Sequence, residues 1–155
     1  SPGSSSRTSR RCSPTRVPSR RSSRPSVWHD GAVDLVAGVE ARGFVVGAAL
    51  AHALGVGFVP VRKAGKLPGE TASISYDLEY GSAEIEVHAD AFVGGERVLL
   101  VDDVLATGGT AAAAWDLLER TGADVVAFEC VVELAFLDGR SRMGSRPVGA
   151  LLVVP

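Results

Sequence analysis

The stretch VLLVDDVLATGGT at residues 98–110 decides the fold of this chain. Val98–Val101 is a short apolar run rich in β-branched residues, which predicts a buried strand, and the glycines that follow predict a sharp turn into a helix. Ligands of open parallel sheets collect beyond the carboxyl ends of strands, where such a turn presents backbone N–H groups to an anion. We therefore expect Ala106–Thr110 to form a phosphate cradle.

The rest of the chain alternates strand and helix patterns around this stretch. Strands are predicted at Ala32–Val39, Val56–Val61, Asp124–Leu134 and Ala150–Val154, and helices at Gly43–Leu54 and Ala111–Arg120. Between them lie a basic turn at Arg62–Gly69, a hairpin pattern at Thr71–Val87 and a polar loop at Asp138–Arg146. This order predicts an α/β fold, with a mostly parallel central sheet and helices on both faces.

Composition limits the classes of protein that the chain can belong to. Its 155 residues, 46% hydrophobic and 22% charged, suit one globular domain. No apolar run approaches the roughly 20 residues of a membrane-spanning helix. Cys12 and Cys130, like His29, His52 and His88, have no metal-ligand spacing. We expect a cytoplasmic protein without a disulfide scaffold or a protein-held metal cluster.

Residues 1–26 differ sharply from residues 27–155. They hold 10 Ser, 7 Arg and 4 Pro without any Asp, Glu or Lys, whereas the remainder holds 9 basic and 18 acidic residues. We expect a disordered tail at 1–26 and a folded domain at 27–155. A nucleic-acid-binding arm is an alternative, but no aromatic side chain interleaves the arginines. We do not expect this tail to be a secretory signal, because it lacks an apolar core segment.

The polar residues of the deciding stretch suit a sugar phosphate. Gly108 and Gly109 allow close backbone approach, and the Thr107 and Thr110 hydroxyls can donate to phosphate oxygens. The adjacent carboxylates of Asp102 and Asp103 suit vicinal ribose hydroxyls or a hydrated Mg²⁺. The alternative is a solvated turn whose acidic side chains only cap the next helix.

Several spaced motifs together resemble one family. Residues 98–110 are similar to the diphosphoribose-binding signature of type I phosphoribosyltransferases. Residues 34–140 resemble, more narrowly, the adenine phosphoribosyltransferases, through VAGVEARGF (36–44), VRKAGKLPG (61–69), SYDLEYG (75–81), VLLVDDVLATGGT (98–110) and VVELAFLDGR (131–140). The resemblance implies the type I phosphoribosyltransferase fold with a flexible β-hairpin loop.

The resemblance also implies an activity and its partners. The family transfers the phosphoribosyl group of 5-phosphoribosyl 1-diphosphate to adenine, giving AMP and diphosphate in purine salvage. Its members bind Mg²⁺ through the sugar diphosphate, pass through an oxocarbenium-like transition state and are generally homodimers. No nucleic-acid or membrane partner is implied.

The matching positions carry the family's roles onto this chain. The 5′-phosphate would be held by Ala106, Thr107, Gly108, Gly109 and Thr110, and the ribose hydroxyls by Asp102 and Asp103. The diphosphate would face Glu40, Ala41, Arg42, Arg62, Lys63 and Lys66. Arg42 and Glu79 are the candidate catalytic residues, and Tyr80 would close over the site. An ordinary solvated basic turn and a surface hairpin remain alternatives for 62–66 and 79–80.

The N-terminal region departs from the family pattern. Family members carry a Pro-Gly-Val/Ile-x-Phe-x-Asp segment and a helix that build the hood over adenine. Shifting a back-translation of Ser1–Thr15 by one base permits PGVVFKDLTPLLAD, which resembles that segment. We hypothesise that residues 1–26 are read in the wrong frame, which predicts weak adenine turnover and aggregation. A phosphoribosyltransferase for xanthine or another purine, and a non-catalytic phosphoribosyl-diphosphate sensor, remain alternative functions.

Overall fold

The computed structural model describes residues 32–155. Its elements along the chain are β1 (Leu35–Val39), α1 (Arg42–Leu54), β2 (Gly57–Lys63), β3 (Thr71–Asp77), β4 (Ser82–His88), β5 (Arg97–Leu105), α2 (Gly109–Arg120), β6 (Asp124–Leu134), α3 (Gly139–Met143) and β7 (Val148–Val154). Among residues 32–155, no helix is both long enough and apolar enough to cross a bilayer. The predicted tail at 1–26, which includes Cys12, and His29 lie outside the described residues, so the frameshift hypothesis also concerns residues that the structure does not describe.

The elements form one mixed sheet of seven strands in the order β3-β4-β2-β1-β5-β6-β7. The five strands from β2 to β7 in this order are parallel to one another. The hairpin β3–β4 extends the sheet by antiparallel pairing of β4 with β2. The α/β fold with a mostly parallel sheet is therefore confirmed.

The central strand β5 is buried on both faces because a helix covers each of them. Val98 and Leu100 pack in one apolar cluster with Trp115 of α2. Leu99 and Val101 pack in a second cluster with Ala51 of α1. Alternate residues of a strand point to opposite faces, so a continuous apolar run is what a doubly covered strand requires.

Two strands, β2 and β5, continue past their predicted ends, and this changes where site residues lie. β5 continues past Val101 to Leu105, so Asp102 and Asp103 belong to the strand and do not follow it. The cause is β6, whose 11 residues keep pairing with β5 as far as Glu133 opposite Leu105. β2 likewise runs to Lys63, which places Arg62 and Lys63 at the end of a strand.

The predicted polar loop at Asp138–Arg146 is partly wrong. A 3₁₀ turn at Ala135–Leu137 leads into the short helix α3, which Gly144 ends. Met143 is 1% exposed and anchors this helix in the core. A single apolar residue in a polar stretch gives no helical periodicity, which is why the pattern predicted a loop.

Candidate functional site

The turn between β5 and α2 is an open cradle of backbone N–H groups. Gly108 precedes α2 in the left-handed conformation, with φ of 82°, and no side chain of the described residues caps the helix. A cavity of about 90 Å³ lies at this turn and is lined by Asp102 and by Val104–Ala111. Uncapped N–H groups of a first helical turn attract anions. The cavity therefore suits a phosphate group.

The cradle is shaped from behind by the segment that leads into α3. A β carbon on Gly108 would collide with the carbonyl oxygen of Gly139, and one on Gly139 would collide with that of Ala106. Two backbones meet here without side chains between them. The close contact explains why glycine is needed at both positions.

The paired aspartates lie beside the cradle at the carboxyl half of β5. The Asp102 carboxylate accepts the Asp103 backbone N–H at 2.8 Å. The Asp103 carboxylate pairs with Arg42, whose Nε lies 2.7 Å from Oδ2. Gly43 lets the start of α1 lie this close to β5, because a β carbon on Gly43 would lie only 2.9 Å from Asp102 Oδ1. α1 thus brings a cation to the two carboxylates.

The Asp102 carboxylate has a shifted pKa. The pKa of Asp102 is raised to about 7, chiefly by burial and in addition by side-chain hydrogen bonding and like-charge repulsion with Asp103. The Asp103 backbone N–H and the Arg42 charge oppose this rise. A half-buried carboxylate with a strongly raised pKa that lines a cavity is typical of functional sites.

Glu40 joins the loop after β1 to the end of β2. Its carboxylate accepts the Lys63 backbone N–H at 2.7 Å and lies 3.4 Å from Arg62 Nε. The Glu40–Ala41 peptide bond is cis. The structure therefore brings the predicted residues Glu40, Ala41, Arg62 and Lys63 together at the carboxyl ends of β1 and β2.

Glu86 of β4 holds the basic turn in shape, and the sequence analysis did not single it out. It is 4% exposed, and its carboxylate accepts the backbone N–H groups of Lys66 and Leu67 at 2.9 and 2.8 Å. It also accepts the Thr71 hydroxyl at 3.1 Å. The Leu67 N–H bond, above all, lowers the pKa of Glu86, against the effect of burial. The one signal for this role in the sequence is an acidic residue placed between Ile85 and Val87, two apolar residues that are both buried.

Glu79 and Tyr80 lie in the turn of the β3–β4 hairpin. The turn is closed by the Leu78 N–H, which donates to the Gly81 carbonyl at 2.9 Å. Tyr80 is 94% exposed. The structure does not pack the Tyr80 side chain over the cradle, so its closing role and the catalytic role of Glu79 stay predictions.

Other candidate ligands in the described residues form no metal centre. Among residues 32–155, no group of three or more His, Cys, Asp or Glu side chains could together hold a metal ion. Cys130 is buried in β6, and burial raises the pKa of its thiol to about 12. This thiol is therefore not activated as a nucleophile.

A phosphoribosyltransferase family model and curated phosphoribosyltransferases both match this chain. Residues 26–144 match the family described as phosphoribosyl transferase domain. Adenine phosphoribosyltransferase of Salinispora tropica is 64% identical over 121 residues, which are 78% of this chain and 64% of that protein. The chain thus spans 64% of the length of this curated relative.

Solved structures agree with the sequence relatives. The crystal structure of adenine phosphoribosyltransferase from Thermoanaerobacter pseudethanolicus is 52% identical with a TM-score of 0.77, covering 79% of this chain and 71% of that one. The Saccharomyces cerevisiae enzyme, complexed with an imino-altritol bisphosphate and adenine, is 52% identical with a TM-score of 0.74, covering 77% and 68%.

Proposed function

Because the chain belongs to the phosphoribosyltransferase family, we propose that it transfers the phosphoribosyl group of 5-phosphoribosyl 1-diphosphate to adenine. The products are AMP and diphosphate. One observation carries the proposal: Asp102 lines the same cavity as the uncapped turn Ala106–Thr110. A cavity lined by both backbone donors and a carboxylate suits the phosphate and the hydroxyls of a ribose 5-phosphate. The names of the relatives support adenine as the base.

The 5′-phosphate lies at the N-terminus of α2 in this proposal. The backbone N–H groups of the turn and the hydroxyls of Thr107 and Thr110 donate to its oxygens. Asp102 and Asp103 accept hydrogen bonds from the ribose hydroxyls. Holding the sugar at both ends fixes its anomeric carbon, so much of the catalysis is positioning.

The diphosphate leaves toward the cations at the carboxyl ends of β1 and β2. Arg42, Arg62, Lys63 and Lys66 supply positive charge where the leaving group accumulates negative charge. Glu40 orients Arg62 toward this side through the 3.4 Å contact. The developing charge on the sugar is positive, and the carboxylates of Asp102 and Asp103 stabilise it.

Mg²⁺ is proposed to enter with the sugar diphosphate. Mg²⁺ is usually bound by one or two carboxylates together with substrate phosphates and waters, and Asp102 and Asp103 offer such oxygen donors. Bound there, the ion would neutralise the charge of the diphosphate. Glu79, proposed as the acid–base group near the purine, and Tyr80 reach the site only if the hairpin turn moves toward it.

One assay separates this function from its alternatives. The purified chain is incubated with Mg²⁺, 5-phosphoribosyl 1-diphosphate and each purine base in turn, and nucleotide formation is measured. AMP from adenine supports the proposal, and nucleotide only from another base would replace adenine by that base. Thermal stabilisation by the sugar diphosphate without any product would indicate a sensor.

Three expectations stay predictions beside this function: a homodimer, a cytoplasmic location and the wrong reading frame of residues 1–26. The coding DNA tests the last of these. A genuine upstream start in the present frame, with homologues sharing this tail, would refute the frameshift. A variant in which the shifted frame is restored, so that it carries PGVVFKDLTPLLAD, should turn over adenine faster and aggregate less than the present chain. Equal turnover by the two chains would contradict the predicted loss of activity.

A further inference from the structure

Tyr76 of β3 connects the hairpin to the first turn of α2. Its hydroxyl lies 3.1 Å from the Oγ1 atom of Thr110, and either atom can be the donor. Its ring lies over Gly109, where a β carbon would be 3.9 Å from the ring edge. The side chain is half-buried against the core. The hairpin therefore contacts the phosphate cradle through one directed polar group.

A bound phosphate would fix the direction of this hydrogen bond. A 5′-phosphate is an acceptor at neutral pH, so the Thr110 hydroxyl must donate its single hydrogen to it. The remaining lone pairs of Thr110 can then only accept. Because a tyrosine hydroxyl can donate as well as accept, Tyr76 becomes the donor. The result is a chain of hydrogen bonds in which each bond polarises the next.

The same strand is also attached to the basic turn. Thr71, at the other end of β3, donates to the Glu86 carboxylate at 3.1 Å. That carboxylate accepts the N–H groups of Lys66 and Leu67. One strand thus contacts the element proposed to bind the 5′-phosphate directly and the basic turn through Glu86.

Resting on the proposed function, we propose that Tyr76 is a positioning residue that orients the Thr110 hydroxyl toward the 5′-phosphate. Its effect is confined to ligands that carry this phosphate, because it acts on the substrate only through Thr110. A residue that merely supported the hairpin would affect all ligands of the site alike.

The test compares two ligands on the full chain by titration calorimetry. Tyr76→Phe keeps the ring over Gly109 and removes only the hydroxyl. We expect the dissociation constant of ribose 5-phosphate to rise by roughly 3- to 10-fold, the loss of one net hydrogen bond. The dissociation constant of inorganic diphosphate, measured with Mg²⁺, should stay the same. Ser73→Ala, which removes a hydroxyl bonded to Glu84 on the same strand, is the matched control and should change neither value.

A double-mutant cycle provides a second measurement. Thr110→Val removes the hydroxyl that accepts the hydrogen bond of Tyr76. In that background, adding Tyr76→Phe should weaken ribose 5-phosphate binding no further. Additive losses, or an equal loss for diphosphate, would overturn the positioning role. If the original chain binds ribose 5-phosphate and Tyr76→Phe binds it as tightly, only the role of Tyr76 fails. If the original chain binds no ribose 5-phosphate, the proposed function fails as well.

Discussion

Arg42 Nε lies 2.7 Å from Asp103 Oδ2, so the first residue of α1 is paired with the carboxyl half of β5. The Arg42 side chain is 80% exposed and that of Asp103 is 23% exposed. An ion pair with one partner so open to solvent contributes little to stability. The pair instead holds a guanidinium beside the cavity where the sugar diphosphate is proposed to bind.

Replacing Arg42 should therefore separate activity from stability. For Arg42→Ala we expect kcat/KM for the sugar diphosphate to fall on the order of 100-fold, since a cation proposed to face the leaving group is lost. The free energy of unfolding should change by less than about 1 kcal/mol. Steady-state kinetics and urea denaturation measure the two effects.

Arg97→Ala is the matched control for this experiment. Arg97 Nη2 lies 3.0 Å from Asp34 Oδ1, and both side chains are 44% exposed. This pair lies at the opposite end of β5 from the cradle, so its loss should leave kcat/KM unchanged. A similar loss of activity in both variants would contradict a specific role for Arg42.

The raised pKa of Asp102 predicts a pH-dependent stability. Burial, above all, holds the pKa at about 7 in the folded chain, against an ordinary value of 3.8. Between these values the folded state retains a proton that the unfolded state has lost, so this group's stabilisation is present at low pH and is lost as pH rises toward 7. Asp102→Asn should become more stable relative to the original chain as pH rises from about 5 to 8. Urea denaturation across this range measures the difference, and a constant difference would refute the shifted pKa.

The two glycines of the cradle should differ in their tolerance of alanine. Gly108 has φ of 82° and faces the Gly139 carbonyl, so Gly108→Ala adds backbone strain and a collision. We expect a loss of at least about 2 kcal/mol in the free energy of unfolding.

Gly109→Ala is the comparison variant for the same measurement. A β carbon at Gly109 would first meet the end of the flexible Arg142 side chain, at 3.2 Å. Its stability should change by no more than about 1 kcal/mol, since alanine also favours the helix. Equal losses in the two variants would contradict the structural reason given for Gly108.

Local patterns in the sequence were sufficient for the central elements. The apolar run at 98–101 predicted β5, and α1 and α2 begin within two residues of their predicted starts at Gly43 and Ala111. The end of β5 was not predictable, because Asp102 and Asp103 stay in the strand only through pairing with β6. α3 was missed because it places only one large apolar side chain, Met143, in the core.

Residues that make contacts between distant parts of the chain were also missed. Glu86 lies 19 and 20 positions from the two backbone N–H groups that it accepts. Tyr76 and Thr110 are separated by 34 positions. An acidic or aromatic residue in an alternating strand is typical of any hairpin, so neither residue could be recognised before the sheet order was known.

Glu86→Gln should loosen the basic turn without removing any of its cations. The glutamine keeps one acceptor oxygen but cannot serve the donors of Lys66, Leu67 and Thr71 together. We expect KM for the sugar diphosphate to rise several-fold, with a smaller change in kcat, and the free energy of unfolding to fall by about 1–3 kcal/mol at neutral pH. Because the folded-state pKa of Glu86 is lowered from 4.5, its stabilisation is present above that pH and lost as pH falls below it, so the two chains should approach equal free energies of unfolding in acid.

Glu84→Gln, an exposed change on the same strand, is the control and should alter stability by less than about 0.5 kcal/mol and leave KM unchanged. Similar KM values for Glu86→Gln and Glu84→Gln would show that the turn does not depend on this buried carboxylate.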